Sequence, residues 1–303
     1  MGSPQPDGER AAQLSPDAIL ALQVRLDRAG CSPGEIDARL GANVRRAIVA
    51  CQRRHGLPET GAPDQSTMEM LQATDPEPPI AHYVIAPEDV ARPFTPEIAG
   101  DLVAQADLPR LDYRSTLELL AERFHADPDL LRRLNPHATF SAAGETIAVP
   151  NVTVVPLPAE PVEPATGAVT VMVSRGSGSL VVSAADGREV LHAPVSTGSE
   201  HDPLPIGEWQ VTEVRLNPIF NYNPELFWDA DPSHARAQIQ PGPNNPVGLV
   251  WIGLTREHYG LHGTPEPGRV GHTQSHGCVR LTNWDALRVA SLVRKGTRVV
   301  FQE

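Results

Sequence analysis

Two proline-rich segments divide this chain of 303 residues and limit the ways in which it can fold. The first is Asp-Pro-Glu-Pro-Pro at residues 75–79, and the second covers residues 152–167. Proline fixes φ and donates no backbone hydrogen bond, so such segments favour extended linkers over helices or central strands. The sequence therefore predicts several domains, in agreement with a length of about 300 residues.

Charge and hydropathy argue against two broad classes of protein. The formal net charge is −12, which disfavours nucleic acid as a partner because phosphate binding needs a basic surface. No segment approaches the roughly 18 consecutive apolar residues that a membrane-spanning helix needs. We therefore expect neither a nucleic-acid-binding protein nor a transmembrane segment in this sequence.

The N-terminus does not have the pattern of an export signal. Residues 1–14 are polar and are expected to be disordered. Met1–Pro6 lacks the basic region and the apolar core of a secretory signal. Its first three residues, Met-Gly-Ser, are typical of an expression vector, which predicts that any export signal lies outside this sequence.

The spacing of apolar residues predicts a small helical domain at residues 15–74. Ser15 followed by Pro16 is typical of an N-cap and a first helical residue, and Gly30 is predicted to end this helix. Apolar residues then recur at spacings of three and four, which indicates further helices. The three helices are expected at about residues 18–29, 42–55 and 64–72.

A change of period predicts a mostly β domain at residues 168–303. Apolar residues alternate with polar ones from Val169 onward, which is typical of strands with one buried face. Asp186-Gly187 between two apolar runs predicts a hairpin turn. A capping-box pattern at Thr282 predicts one late helix that continues through Arg294.

A thiol, two imidazoles and a flexible corner lie within seventeen residues of this domain: His262, His276, Gly277 and Cys278. A thiolate is a strong nucleophile, and a neighbouring base or cation favours its formation. Glycine allows a sharp turn in which backbone amides face a developing oxyanion. This pattern predicts acyl transfer through a thioester.

Several longer motifs surround these residues. They are Ser196-Thr197-Gly198, Pro205 to Trp209, Pro241 to Gly248, Trp251 to Leu254, His262-Gly263-Thr264, Gly271 and Ser275-His276-Gly277-Cys278-Val279-Arg280-Leu281. With them, residues from about 168 to 302 resemble the catalytic domain of the L,D-transpeptidases, the YkuD family. The resemblance implies a mostly β fold and cysteine acyl-transfer chemistry on peptidoglycan.

The resemblance also implies a role for each motif residue. Cys278 would be the nucleophile, and His262 would activate it and later shuttle its proton. The carbonyl of Gly263 would orient the imidazole, a task that other triads give to a carboxylate. His276 and Gly277, with the Cys278 amide, would border an oxyanion pocket.

Three further residues are expected at the substrate. Ser275 is expected to contact substrate beside the nucleophile. Arg280 would either hold the corner together or meet a substrate carboxylate, for which its planar guanidinium is suited. Tyr259 is close enough in sequence to line the pocket.

A zinc site is the chemical alternative for the same residues. The side chains of His262, His272, His276 and Cys278 are acceptable zinc ligands. Structural zinc sites usually show tighter paired spacing, and the glycine corner would then have no purpose. We therefore predict no metal and no cofactor. The remaining histidines are expected to be surface or incidental residues: His55, His125, His192, His201 and His234.

The aromatic and proline-rich segment 217–231 has two interpretations. Loops of this length are often either a lid over a cleft or an irregular segment that packs against the domain. The residue types alone do not separate the two.

Two N-terminal regions resemble wall-binding modules. Residues 15–74 carry Leu22-Gln23, Gly34, Ile36-Asp37, Ala47, Gln52, His55-Gly56-Leu57 and Thr60-Gly61, and with them resemble the peptidoglycan-binding type 1 module. That family usually has aromatic residues where Cys31 and Cys51 stand. The two cysteines would then face each other in the core, either as a disulfide or as two buried free thiols.

Residues 82–151 resemble a LysM carbohydrate-binding module of α+β type. The resemblance rests on two predicted helices at 115–125 and 129–134, Asn135-Pro136, and a strand that ends at Pro150. Tyr83–Ile85 would be the first strand, but about thirty residues then intervene where the family has a short turn. The alternative is a spacer domain that braces the catalytic unit.

Taken together, the resemblances imply a multidomain peptidoglycan L,D-transpeptidase that forms 3–3 cross-links between stem peptides. Its partners would be stem peptides and glycan, with carbapenem β-lactams as inhibitors, and its location the periplasm or cell wall. An L,D-carboxypeptidase or a protein-anchoring enzyme would use the same thioester, since the acceptor depends on the shape of the cleft. A non-catalytic wall-binding protein is the remaining alternative.

Overall fold

The computed structural model describes residues 14–158, 167–275 and 277–303. Two predicted segments therefore lie partly or mostly outside the described residues: the polar N-terminus at 1–14 and the linker at 152–167. His276 also lies outside them. Within the described residues, no helix combines the length and the apolar composition that crossing a bilayer would require.

The N-terminal module, residues 15–74, consists of α1 (Pro16–Arg28), α2 (Ala42–Arg54) and α3 (Gln65–Thr74). The Ser15 hydroxyl accepts a hydrogen bond from the Ala18 amide, as its N-cap position predicts. Gly30 follows α1 with a φ of +71°, a conformation that favours glycine. The three predicted helices are thus confirmed.

The two cysteines of this module form a disulfide, Cys31–Cys51. Both are fully buried in the apolar cluster that α1, α2 and α3 share. Of the two alternatives that the sequence leaves open, the structure contains the disulfide. Cys278 is a free cysteine.

The middle module, residues 80–152, is built on a two-stranded antiparallel sheet. β1 (Ile80–Val84) pairs with β2 (Thr146–Pro150), and Ile80 lies opposite Pro150. The helices between the strands are α4 (Pro87–Ala91), α5 (Leu102–Gln105), α6 (Thr116–Arg123) and α7 (Pro128–Leu134). The first strand begins three residues before the predicted Tyr83, and the long segment after it does not prevent pairing.

The C-terminal domain is mostly β, as predicted. Its strands are β3 (Val169–Ser174), β4 (Ser179–Ala184), β5 (Glu189–Pro194), β6 (Gly207–Leu216), β7 (Phe220–Tyr222), β8 (Ala237–Ile239), β9 (Val250–Leu254), β10 (Gly260–His262), β11 (Val279–Arg280) and β12 (Arg298–Gln302). An eight-stranded sheet runs in the order β11-β10-β9-β6-β12-β3-β4-β5, while β7 and β8 pair separately. Asp186-Gly187 turns between β4 and β5, with Gly187 at a φ of +84°.

One helix, α8 (Asn283–Ala290), follows the last strands of the site. The Thr282 hydroxyl accepts from the Asp285 amide, so the predicted N-terminus is confirmed. The predicted end at Arg294 is wrong. After Ala290 the chain tightens into short turns, in which Leu292 and Val293 both donate to the Val289 carbonyl.

The modules are packed directly against each other. The Ser32 amide of the N-terminal module donates to the His192 carbonyl of β5 over 2.9 Å. The Ile36 amide donates to the His125 carbonyl of the middle module over 2.8 Å. A shared apolar cluster joins Leu20, Val24 and Ile36 to side chains of α6 and α7. The prolines at 75–79 therefore connect modules that are already in contact.

Two histidines that the sequence places at the surface are buried at these seams. His125 and His192 are only 1% and 3% exposed. His125 stacks on Trp284 at 4.9 Å between ring centroids, and its Nδ1 lies 3.2 Å from Asp27 Oδ1. Burial lowers the pKa of His192 to about 4. The surface prediction was wrong because module docking cannot be inferred from local residue patterns.

A buried ion pair joins the N-terminal module to the catalytic domain. Arg288 of α8 donates to both oxygens of Asp27 in α1, over 2.9 and 2.7 Å. Desolvation opposes ionisation of Asp27, but Arg288 and His125 outweigh it and hold the pKa of this carboxyl below its usual range. Asp27 is fully inaccessible to solvent.

Replacing Arg288 by methionine is expected to destabilise the whole chain. It would leave the Asp27 charge buried without its main partner, which costs about 3–5 kcal/mol in unfolding free energy. Urea denaturation followed by tryptophan fluorescence measures the change. Arg298→Met is the control, because Arg298 pairs with Glu208 in solvent and such pairs contribute about 1 kcal/mol or less. Equal effects of the two substitutions would contradict this role of the buried pair.

Candidate active site

The parallel pairing of β10 and β11 brings the histidine and cysteine motifs together at one edge of the sheet. Leu261 lies opposite Val279 and His262 lies opposite Arg280. Continuing this register places Cys278 level with Gly260, one pair before. The printed pairs put His262 and Arg280 on one face of the two strands. Because side chains alternate along a strand, Cys278, two positions before Arg280, is expected on that face as well. Two motifs separated by sixteen positions thus share one surface.

The imidazole of His262 is held in one orientation by the main chain. Its Nδ1 lies 2.6 Å from the carbonyl oxygen of Gly263. A carbonyl oxygen only accepts hydrogen bonds, so Nδ1 carries the proton and Nε2 is left as the basic nitrogen. The ring is 4% exposed and stacks on Trp251, with 5.8 Å between centroids.

The thiol of Cys278 is half-buried, and its Sγ lies 3.6 Å from the carbonyl oxygen of His258. Burial raises the pKa of Cys278, although a backbone hydrogen bond from Gly260 and the charge of Arg280 oppose this shift. Burial, together with the charge of Arg280, lowers the pKa of His262 to about 3. Both directions favour a neutral thiol and a neutral imidazole in the resting site.

A glycine corner precedes the cysteine. Gly277 has a φ of +95°, and a Cβ atom there would meet the ring of Tyr259 within 2.7 Å of Cε1. Both conditions favour glycine. Ser275 is 3% exposed, and its hydroxyl donates to the Cys278 carbonyl over 2.5 Å. Ser275 therefore holds the corner from inside through this hydrogen bond, and its contact with substrate stays a prediction.

Arg280 is tied to the main chain on the far side of β11. Its backbone pairs with Ser196, with N–H to oxygen distances of 3.1 and 2.9 Å, and its guanidinium donates to the Gln274 carbonyl over 3.4 Å. A polar cavity of about 90 Å³ lies beside it, lined by Ser196, Thr264, Glu266, Arg269, Val270, Thr273, Gln274 and Arg280. Arg280 thus donates to the main chain just before the corner and also borders this cavity.

The zinc alternative concerns four residues of which the structure describes three: His262, His272 and Cys278. Within the described ranges, no group of three or more His, Cys, Asp or Glu side chains is arranged to hold a metal ion. His272 is exposed, and His276, one of the four candidate ligands, lies outside the described residues.

The segment at 217–231 packs against the middle module in its first part, and a role as a lid stays a prediction. Its first part packs: Tyr222 of β7 is 3% exposed and shares an apolar cluster with Leu111 of the middle module. Farther along, Trp228 is 58% exposed and stacks on His201 at 4.3 Å between centroids.

Sequence reasoning assigned no role to Asn283, the first residue of α8. Its Oδ1 accepts from the Leu249 amide over 3.0 Å, and a Cβ atom at either Gly248 or Gly263 would overlap that oxygen. Asn283 therefore packs against the residue whose carbonyl orients His262. The only local signal was its place in a capping box, which indicates a helix start and not a site.

The pKa directions of the resting site predict how the thiol reacts with iodoacetamide. The alkylation rate should rise about tenfold per pH unit between pH 6 and 8, because the thiolate fraction grows tenfold per unit below the thiol pKa. Mass spectrometry of the labelled chain measures this rate. Cys278→Ser should remain unlabelled, since the other two cysteines are in a disulfide. A rate that is flat across this range would indicate a preformed thiolate–imidazolium pair and contradict the neutral pair.

Comparison with known proteins identifies two regions of the chain. Residues 168–301 match the family model described as "L,D-transpeptidase catalytic domain". Residues 15–71 match the model described as "Putative peptidoglycan binding domain". The chain thus contains an L,D-transpeptidase catalytic domain preceded by a helical peptidoglycan-binding region.

Curated relatives agree with the first match. "Putative L,D-transpeptidase YkuD" of Bacillus subtilis is 29% identical over 61% of this chain and 92% of its own length. The protein of the same description from Bacillus licheniformis is 48% identical over 20% of this chain, but only 36% of its own length is covered. "Probable L,D-transpeptidase YbiS" of Escherichia coli is 43% identical over 22% of this chain and 21% of its own length.

Among solved structures, L,D-transpeptidase 3 from Mycobacterium tuberculosis is 20% identical, with a TM-score of 0.37 over 53% of this chain and 76% of that one.

Proposed function

Because residues 168–301 are an L,D-transpeptidase catalytic domain, we propose that this chain forms 3–3 cross-links between peptidoglycan stem peptides through a thioester on Cys278. The observation that supports the proposal most is the parallel pairing of β10 with β11, in which His262 lies opposite Arg280, two positions after Cys278. The Gly263 carbonyl fixes Nδ1–H, so that Nε2 is the nitrogen able to take a proton.

The first half of the reaction starts from the neutral pair. As Sγ attacks the donor carbonyl, its proton passes to His262 Nε2, and the carbonyl oxygen becomes an oxyanion. The main-chain amides of Gly277 and Cys278 are the donors proposed for that oxyanion, a contribution of about 2.7–4 kcal/mol per donor. When the tetrahedral intermediate collapses, His262 gives its proton to the leaving amine of D-alanine, and the thioester remains.

The second half repeats these steps with an amine from a neighbouring stem. His262 removes a proton from the amine as it attacks the thioester, and the same proton returns to sulfur when the C–S bond breaks. Arg280 and Tyr259 are proposed to contact the donor stem at the rim of the site. His276, which lies outside the described residues, is proposed to border the oxyanion pocket.

The two N-terminal modules are proposed to hold the enzyme at the wall. Residues 15–71 match a peptidoglycan-binding model. For the middle module, a LysM-like role in glycan binding is proposed on the basis of its β1–helix–helix–β2 core, in which β1 and β2 pair along their full length. Because both modules pack on the catalytic domain, they would present glycan at a fixed distance from Cys278. The proposed location of the enzyme is the periplasm or the cell wall.

Purified tetrapeptide muropeptides provide the direct test. Incubation with the full chain should yield 3–3 linked dimers and free D-alanine, both identified by mass spectrometry. Cys278→Ser should lower the rate by at least about a thousandfold, because the hydroxyl is a far weaker nucleophile without a matched base. Tripeptides without dimers would show an L,D-carboxypeptidase, and the absence of any product would favour a non-catalytic wall-binding protein.

Acylation by a carbapenem gives a second test that needs no acceptor. The intact mass of the full chain should increase by one inhibitor molecule, and peptide mapping should place the adduct on Cys278. Cys278→Ser should show no increase. An adduct elsewhere in the chain, or none at all, would contradict the proposed nucleophile.

A further inference from the structure

The long segment after β1, which separates the middle module from the family pattern, docks onto the catalytic domain. The Leu111 amide donates to the Pro241 carbonyl, and the Asn244 amide donates to the Leu111 carbonyl, both over 3.0 Å. Gly242 lies so close to Leu111 that an added Cβ would overlap the Leu111 carbonyl. This close approach of Leu111 explains why position 242, between two prolines, is a glycine.

At one end of the seam, a carboxylate of the middle module reaches α8. Glu122 of α6 accepts from Asn283 Nδ2 through Oε2 over 2.8 Å and from the Tyr113 hydroxyl through Oε1 over 2.8 Å. Asn283 Nδ2 also donates to the Pro243 carbonyl over 3.2 Å. Both acceptors face the nitrogen of the amide, so they fix which way the Asn283 side chain points.

The oxygen of the same amide packs against Gly263, the residue whose carbonyl orients His262. Asn283 Oδ1 accepts from the Leu249 amide and packs on Gly263 without space for a Cβ atom. Gly263 in turn donates its amide to the Val250 carbonyl over 3.2 Å and accepts Nδ1–H of His262 over 2.6 Å. A turned or displaced Asn283 would place a different group against Gly263, whose carbonyl would then move.

We propose that Glu122 of the middle module is a positioning residue for His262, acting through Asn283 and the Gly263 carbonyl. The middle module then completes the catalytic site in addition to any contact with glycan. This inference rests on the proposed function only for its turnover measurement, because the reactivity of the thiol can be followed without any peptidoglycan substrate. Burial of the Glu122 carboxyl raises its pKa to about 7, in agreement with its position inside the seam.

Two substitutions of Glu122 in the full chain distinguish the effect of side-chain length from the effect of charge. Glu122→Asp keeps the carboxylate but is one methylene too short to reach Asn283. Glu122→Gln loses the charge but keeps an oxygen that can accept from Nδ2. We expect Glu122→Asp to lower kcat and the rate of Cys278 alkylation by about tenfold, the effect of one lost hydrogen bond, with KM within about twofold. In Glu122→Gln, the values of kcat, KM and the Cys278 alkylation rate should all stay within about twofold of those of the original chain.

Asp89→Asn is the matched control. Asp89 is also a buried carboxylate of the middle module that accepts from a tyrosine hydroxyl, Tyr83, over 2.5 Å, and it pairs with Arg123. It does not contact the catalytic domain through these bonds. We expect Asp89→Asn to lower the melting temperature while leaving the alkylation rate unchanged.

Asn283→Ser removes the donor of the Glu122–Asn283 hydrogen bond instead of its acceptor. The proposal can therefore still be tested if Glu122→Asp does not fold. The double variant Glu122→Asp/Asn283→Ser should lose no more than the larger single loss, because both changes cut one chain of contacts. Unchanged alkylation in Glu122→Asp and Asn283→Ser would overturn the positioning role, as would an equal loss in Asp89→Asn. If the original chain forms no dimers from muropeptides, the proposed function fails, while the alkylation rates still decide the role of Glu122.

Discussion

The parallel pairing of β10 with β11 is the constraint on which the candidate site depends. One short strand ends at His262, the other starts directly after Cys278, and their register pairs His262 with Arg280. A shift of one residue would turn one of the two side chains to the opposite face. The register is held from both sides, since Arg280 also pairs with Ser196 and the Leu281 amide donates to the His262 carbonyl over 2.8 Å.

The second constraint is the direct docking of three modules that the sequence separates by prolines. Buried polar contacts cross each seam, including the Arg288–Asp27 pair and the Glu122–Asn283 hydrogen bond. Such contacts are costly when one partner is removed, so they hold the modules in one arrangement. Arg28 adds to this by donating to the carbonyls of Glu77 and Pro78 in the proline segment. If the N-terminal module binds peptidoglycan as proposed, this fixed arrangement would limit which part of the wall the catalytic face can reach.

Local sequence patterns predicted where helices and turns begin, but they could not predict contacts between residues far apart in the chain. The N-cap at Ser15, the hairpin turn at Asp186-Gly187 and the start of α8 at Thr282 each depend on a few neighbouring residues, and all three are confirmed. The burial of His125 and the contacts of Asn283 depend on partners more than a hundred positions away. The end of α8 depends on the tightening of its last turn. The hydrogen bond from the Ser275 hydroxyl to the Cys278 carbonyl was also beyond sequence reasoning, because motif position gives no information on side-chain direction.

The proposed chemistry requires that His262 rests as a neutral imidazole with its proton on Nδ1, so that Nε2 can take the proton of the thiol. Nitrogen-15 NMR of the histidine side chains, with His262→Gln used to assign the signal, measures this most directly. At pH 7 the His262 ring should give one protonated nitrogen, Nδ1, and one unprotonated nitrogen, Nε2. A signal from a doubly protonated ring, or from a ring protonated at Nε2 alone, would contradict the claim.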